Sequence, residues 1–172
     1  KTAYEVGTGD WSSDVCSSDL MIDTKHIGRQ LPSTTFEVEK GRLRFFAKAT
    51  GETRPEYIDE AAAKAAGYRS LPVPPTFLMG ADLDAGIMFT LLDELGVPIG
   101  NSRPGGQSVT YHAQVCAGDV LKVESRIADI YQKKGGALEF IVKDSVITDQ
   151  NGVKVMEARS IIVARNPKEK AA

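Results

Sequence analysis

Cysteine and histidine are scarce in this sequence of 172 residues, which contains two of each. Cys16 and Cys116 lie far apart, so neither a disulfide framework nor a zinc cage is expected. His26 and His112 do not have metal-ligand spacing, and the chain has no His-Glu-x-x-His or Cys-x-x-Cys pattern. The sequence therefore predicts no metal site and no cofactor.

The chain also lacks a strong excess of charge and any long apolar run. Its 21 lysines and arginines face 23 acidic residues, which gives a net charge of −2 and implies no basic face for nucleic acid. No stretch approaches the roughly 18 apolar residues that a membrane span requires, and the first residues are not typical of a secretory signal. We expect a cytoplasmic protein with one domain and no membrane or nucleic-acid partner.

The two ends of the sequence have a different composition from the rest. Residues 1–20 are rich in Ser, Asp, Thr and Gly without any helical or strand period, so they predict an unstructured leader. This leader resembles a translated sequencing-adapter fragment, which would make Met21 the natural start; the alternative is a docking segment around Trp11 and Cys16. We expect a domain over residues 21–165 and a frayed, charged tail over 166–172.

The first half of the domain has helical patterns. Residues 39–49 predict a short helix with Gly51 as a left-handed stop, and Asp59 is placed to cap a second helix that ends at Gly67. Three prolines at positions 72–75 then forbid a helix and predict an extended segment. Residues 76–95 resume the helical period and predict one long helix that is apolar on much of its circumference.

The last third of the sequence predicts antiparallel strands. Four long segments rich in Val, Ile, Thr and Tyr are separated by Gly-containing turns, and Asn151-Gly152 is typical of a two-residue hairpin turn. The glycine pairs at 105–106 and 135–136 are interpreted as turns. We therefore predict an α+β fold in which a curved antiparallel sheet wraps one helix. The four predicted strands are residues 107–115, 120–131, 137–149 and 153–164.

Two segments, residues 49–77 and 111–127, resemble the MaoC-like hydratase/dehydratase family of hot dog folds, and within it the FAS1-like dehydratase branch. The matching features, in order, are a Gly-acid-x-x-Pro turn, an Ala-rich helix, a Pro-Pro-Thr helix start and a Tyr-His-x-x-Val-x-Ala-Gly-Asp segment. The resemblance implies a single hot dog domain that pairs with a second hot dog subunit, as a homodimer or a heterodimer. It also implies acyl-CoA or acyl-carrier-protein thioesters as substrates, with water added or removed across their 2,3 bond.

The resemblance also places the site residues. Catalytically complete members carry a Gly-Asp-x-Asn-Pro-x-His turn, whereas residues 51–57 here read Gly-Glu-Thr-Arg-Pro-Glu-Tyr. Glu52 thus stands at the Asp position and Tyr57 at the His position, and a phenol with a reference pKa of about 10 is a poor base at neutral pH. Pro75 has no N–H to offer an oxyanion, so Thr76 and Phe77 are the candidate donors.

Other readings of these residues remain open. Tyr57 can instead cap the core beside Phe45 or Phe46, and Glu52 can be a solvated turn residue. His112 is a candidate for substrate binding or an oriented structural histidine. Arg103 and Arg69 are candidates for binding a carrier phosphate. Cys116 and the Gly118-Asp119 pair are interpreted as a core residue and a turn.

The sequence favours a substrate-binding subunit of a heterodimeric hydratase, because its acid–base turn is degenerate. One alternative is a self-sufficient homodimeric hydratase that uses Glu52, or a thioesterase with a different base. A second alternative, from another functional class, is a non-catalytic module that binds acyl thioesters.

Overall fold

The computed structural model describes residues 22–165, so the predictions for the leader and the tail lie outside the described residues. The described chain contains four α-helices and five strands. The helices are α1 (Lys40–Thr50), α2 (Glu60–Ala65), α3 (Ala81–Asp84) and α4 (Ile87–Glu94), and the strands are β1 (Thr34–Glu37), β2 (Ser102–Tyr111), β3 (Val120–Lys133), β4 (Leu138–Thr148) and β5 (Lys154–Arg165).

The strands form one antiparallel sheet in the order β1-β3-β4-β5-β2. Strands β3, β4 and β5 form the predicted meander, whereas β2 does not pair with β3 and lies at the far edge beside β5. The short edge strand β1 was not predicted, because only Phe36 of its four residues is buried. The α+β architecture predicted from the sequence is therefore present.

The two short helices before the prolines match their predictions within one or two residues. Gly51 follows α1 with a φ of 71°, the left-handed conformation that a glycine stop requires. The Asp59 carboxylate caps α2 by accepting a hydrogen bond of 2.8 Å from the Ala62 N–H. The local residues Gly51 and Asp59 thus determine where α1 ends and where α2 begins.

The predicted long helix over residues 76–95 is present in position but is not continuous. A 3₁₀ turn at Phe77–Gly80 leads into α3, and Gly86 separates α3 from α4 with a φ of 71°. Glycine adopts this left-handed conformation without the steric cost that other residues incur. Phe89 is also 54% exposed, so the segment is less buried than its composition suggests.

Strand β2 differs most from its prediction. It spans residues 102–111 rather than 107–115, because it pairs with β5 through Pro104, Gly105 and Gly106. The Gly105-Gly106 pair is a bulge inside a strand rather than a turn, and a Cβ added at Gly105 would lie 2.5 Å from Val163 Cγ2. Residues 112–119 connect β2 to β3.

The other two turn predictions have different outcomes. Gly135 and Gly136 lie in the turn between β3 and β4 with positive φ, as predicted. The β4–β5 connection is a longer loop over residues 149–153 rather than a two-residue turn. Asp149 Oδ1 accepts hydrogen bonds from the N–H groups of Asn151 and Val153 and so closes this loop.

The core between helices and sheet consists of two apolar clusters separated by polar side chains. One cluster surrounds Phe77, whose ring packs edge-on against Phe46 at 5.3 Å, a geometry that contributes about 0.5–1.5 kcal/mol beyond apolar burial. The other surrounds Leu91 and Ile141. Between them, the buried hydroxyls of Ser125 and Ser145 form a hydrogen bond of 2.8 Å.

Candidate functional site

The turn after α1 holds the predicted carboxylate in a local network. Glu52 Oε1 accepts hydrogen bonds of 3.0 Å from the N–H groups of both Thr53 and Arg54. The Arg54 guanidinium also binds both carboxylate oxygens, at 3.1 Å and 2.7 Å. These hydrogen bonds from Arg54 and Thr53 lower the pKa of Glu52 to about 2. The Glu52 carboxylate is therefore ionised at neutral pH and hydrogen-bonded within its own turn.

Tyr57 occupies the position of the family histidine and is buried. Its side chain is 9% exposed, and the Arg54 guanidinium lies 4.6 Å above the ring centroid. Burial raises the pKa of the Tyr57 phenol, so it is neutral at pH 7 and can donate a hydrogen bond but not abstract a proton. Phe45, which the sequence offered as a core neighbour of Tyr57, is 75% exposed and lies outside the core.

A pocket of about 160 Å³ lies where the Tyr57 turn, the proline segment and the end of β2 meet. Its walls include Tyr57, Val73, Pro74, Pro75, Leu78 and Tyr111. The described residues that line it include no carboxylate and no histidine, and the amide of the lining Gln114 is hydrogen-bonded to the Val115 carbonyl oxygen. The pocket is suited to an apolar group with a few polar contacts.

The backbone donors predicted at the helix start are both occupied. The Thr76 N–H donates to the Tyr111 hydroxyl at 3.0 Å, and the Phe77 N–H donates to the Pro74 carbonyl oxygen at 3.3 Å. The Phe77 side chain is buried in the core and does not line the pocket. The expected pair of free oxyanion donors is therefore not formed in this conformation.

The remaining predicted residues lie away from this pocket. The Arg103 guanidinium donates to the carbonyl oxygens of Gly100 and Ser102 at the start of β2, about 25 Å along the strand from Tyr111. His112 Nε2 lies 2.8 Å from Glu157 on β5 and is not part of the pocket wall. Of the predicted site residues, Tyr57 lines the pocket together with Pro75, and Thr76 directly follows Pro75 without lining it.

Arg69 and the Cys116 N–H both bind the buried carboxylate of Asp119. Arg69 forms an ion pair with Asp119, whose carboxylate also accepts hydrogen bonds from the Cys116 N–H and the Gln150 amide. Cys116 is 2% exposed, as its core interpretation predicts. Gly118 and Asp119 lie in the predicted turn, but Asp119 connects three segments, a role that the sequence did not indicate.

A larger groove of about 450 Å³ lies on the sheet, between β3, β4, β5 and β2. Its charged residues include Arg126, Asp144 and Arg159, and Asp144 accepts hydrogen bonds of 2.7 Å and 2.9 Å from Arg159. These are cross-strand ion pairs of an exposed sheet face. The smaller pocket is the better candidate site, since Tyr57, Pro75 and Tyr111, which belong to the segments that carry the resemblance, line it.

No group of three or more His, Cys, Asp or Glu side chains within residues 22–165 could hold a metal ion. No helix in the same range is long and apolar enough to cross a membrane.

Solved structures share this fold. The chain of a HadBC (3R-hydroxyacyl-ACP dehydratase) complex from Mycobacterium tuberculosis superposes with a TM-score of 0.69 and 26% identity, covering 81% of this chain and 97% of that one. An (R)-hydratase from A. caviae involved in PHA biosynthesis gives a TM-score of 0.62 and 19% identity over 79% of this chain and 94% of its own. The described domain is a hot dog fold.

Sequence relatives support the same grouping. A UPF0336 protein of Saccharopolyspora erythraea is 33% identical over 151 residues, which are 87% of this chain and 96% of that protein. A UPF0336 protein of Parafrankia sp. is 37% identical over 148 residues, with 85% and 96% coverage. The family described as the FAS1-like dehydratase domain region matches residues 25–158. The chain is therefore a MaoC-like hot dog protein and belongs to the FAS1-like dehydratase domain family.

Proposed function

We propose that this chain is the substrate-binding subunit of a heterodimeric hydratase that adds or removes water across the 2,3 bond of acyl thioesters. The observation that carries the proposal is the state of Glu52. Its carboxylate is held by the Arg54 guanidinium and by the backbone N–H groups of Thr53 and Arg54, and these bonds lower the pKa of Glu52 to about 2. A carboxylate with such a low pKa has little tendency to accept a proton from C2 of a substrate.

The pocket supports binding rather than proton transfer. It offers apolar walls and phenol groups, and the described residues that line it include no group that acts as a base at neutral pH. A second hot dog subunit with an intact Gly-Asp-x-Asn-Pro-x-His turn would supply the missing acid–base pair. The M. tuberculosis structures with this fold include two complexes of paired proteins, HadBC and ChsH1-ChsH2.

The proposal is tested by assaying hydration of crotonyl-CoA by the purified chain alone and after addition of a complete partner subunit. We expect little turnover by the lone chain and activity only with the partner. Glu52→Gln removes the charge at nearly constant volume, so it should change the partner-dependent rate by less than about threefold, far below the contribution of a general acid–base group. Glu56→Gln, in the same turn, is the matched control.

The alternatives give different results. Robust turnover by the lone chain that falls by about 10²–10⁴-fold in Glu52→Gln would establish a self-sufficient enzyme and contradict the heterodimer proposal. Binding of acyl-CoA without turnover in the presence of any partner would instead indicate a non-catalytic binding module. Matched assays with acyl-CoA and acyl-carrier-protein substrates decide which carrier is used.

A further inference from the structure

The start of the central helical segment has an unusual backbone conformation. Thr76 and Lys134 are the two non-glycine residues with positive φ in the described chain, and Lys134 lies in the turn beside Gly135 and Gly136. Thr76, with a φ of 70°, directly follows Pro74 and Pro75, which line the pocket. A β-branched residue in this region is strained, and such strain persists when surrounding contacts hold it.

The contact that engages Thr76 comes from a distant strand. Its N–H donates a hydrogen bond of 3.0 Å to the hydroxyl of Tyr111, which is 35 residues later in the sequence, at the end of β2. Tyr111 itself lines the pocket and is 50% exposed. The strained backbone therefore directs its N–H at a phenol that faces the candidate site.

The chemistry of the phenol indicates what this contact can do. A tyrosine hydroxyl accepts hydrogen bonds at its oxygen and donates one through its own O–H. The oxygen of Tyr111 accepts from Thr76, and no described group within residues 22–165 accepts from the Tyr111 O–H. Donation by the N–H polarises the phenol and makes its O–H a better donor. The Tyr111 O–H is therefore a strengthened hydrogen-bond donor at the pocket.

We propose that the Tyr111 hydroxyl donates the hydrogen bond that holds the carbonyl oxygen of the bound acyl thioester. In this arrangement the side chain replaces the backbone donor that Pro75 cannot provide, and Thr76 positions the phenol instead of contacting the substrate. The inference rests on the proposed function, because it assumes that the pocket binds an acyl thioester. It assigns a substrate-binding role to a residue that periodicity and motif spacing did not single out.

The test compares two ligands that differ only in the carbonyl group. Butyryl-CoA has the thioester carbonyl, whereas the thioether S-butyl-CoA has a methylene in its place. Calorimetric titration of the full chain gives Kd for both ligands with the wild type, with Tyr111→Phe and with Tyr131→Phe. Tyr131 is the control, because it stacks on Phe140 at 4.8 Å in the sheet and is not part of the pocket wall.

We expect Tyr111→Phe to weaken butyryl-CoA binding by about 3- to 10-fold, the loss expected for one hydrogen bond, and to leave S-butyl-CoA binding unchanged. Tyr131→Phe should change neither. A ¹³C-labelled carbonyl adds a second readout: its infrared stretch should move to higher frequency in Tyr111→Phe as the donor is lost. Unchanged melting curves would show that each variant is folded.

Two other outcomes would overturn the inference in distinguishable ways. If Tyr111→Phe binds butyryl-CoA as tightly as the wild type or more tightly, the phenol is not the donor, and tighter binding would show that it blocks the Thr76 N–H. The proposed function would then still stand. If the wild type binds neither ligand, alone or with a complete partner, the proposed function and this inference fail together.

Discussion

Outside the candidate site, the Asp119 carboxylate connects three separate segments of the chain. Its carboxylate is 2% exposed and binds Arg69, the Cys116 N–H at 2.9 Å and the Gln150 amide at 3.1 Å. It therefore connects the segment before the prolines, the turn before β3 and the loop between β4 and β5. Burial alone would raise the pKa of Asp119, but these hydrogen bonds outweigh it and lower the pKa.

We predict that Asp119→Asn destabilises the protein by about 1–3 kcal/mol at pH 7, because Arg69, the Cys116 N–H and the Gln150 amide lose a charged hydrogen-bond acceptor. The pKa of Asp119 in the folded state is lower than its ordinary value of 3.8, so the contribution of this carboxylate to stability is fully present above that value. The contribution is lost as the pH falls from about 3.8 through the folded-state pKa. Urea denaturation of both proteins at several pH values measures the difference.

The exposed Asp93 provides the control for this prediction. Asp93→Asn should change stability by less than about 0.5 kcal/mol at every pH, as expected for surface substitutions. A difference between wild type and Asp119→Asn that stayed constant down to pH 2 would show that the Asp119 charge is not responsible.

At the scale of elements, the main feature is the interruption of the central helical segment at Gly86. A Cβ at Gly86 would meet no atom within 4 Å, so its left-handed backbone is the only obstacle to substitution there. Gly80, six residues earlier, has a φ of −85° and equally open surroundings. The two glycines therefore separate the effect of backbone conformation from that of packing.

We predict opposite effects for the same substitution at these two positions. Gly86→Ala should destabilise by about 1–2 kcal/mol, the cost of a left-handed conformation for a residue with a Cβ. Gly80→Ala should be neutral or stabilise by up to about 1 kcal/mol, because it restricts the unfolded chain without strain. Thermal melts of both variants check the pair; equal changes would mean that α3 and α4 can join into one helix.

The elements also show what the sequence could and could not predict. The ends of α1 and α2 depend on local residues, Gly51 and Asp59, and both were predicted correctly. The helix break was missed because the apolar period continues across Gly86. The start of β2 was missed because Pro104 and Gly105 are typical of turns, and only pairing with β5 makes them part of a strand.

In the candidate site, too, local features were predictable from the sequence and tertiary contacts were not. The positions of Glu52 and Tyr57 after α1 followed from a local motif. The contact between Thr76 and Tyr111 could not be predicted, because it depends on where β2 ends against the proline segment, and this is a tertiary relationship. Alternation within the strand predicted over residues 107–115 would place Tyr111 and His112 on opposite faces, but β2 ends at Tyr111 and His112 lies beyond it.

For the whole molecule, the outer edge of β2 is the feature that favours pairing with a second subunit. The strand spans ten residues, eight of them exposed, and pairs on one side with β5; within the described chain no strand pairs with its other side. A long exposed edge offers unpaired N–H and C=O groups to any other strand. We infer that a second hot dog subunit covers this edge in the functional assembly.

The purified chain should therefore be a dimer in sedimentation at micromolar concentration, with its β2 edge against that of a second copy when no other subunit is present. Gln107→Lys, near the middle of β2, would bring two lysines close together across a two-fold axis and should shift the equilibrium towards monomer. Thr90→Lys on α4 adds the same charge away from the edge and should leave the assembly unchanged. A stable wild-type monomer that also fails to bind a complete partner subunit would contradict the role of this edge, because the outward N–H and C=O groups of β2 would then remain unpaired without consequence.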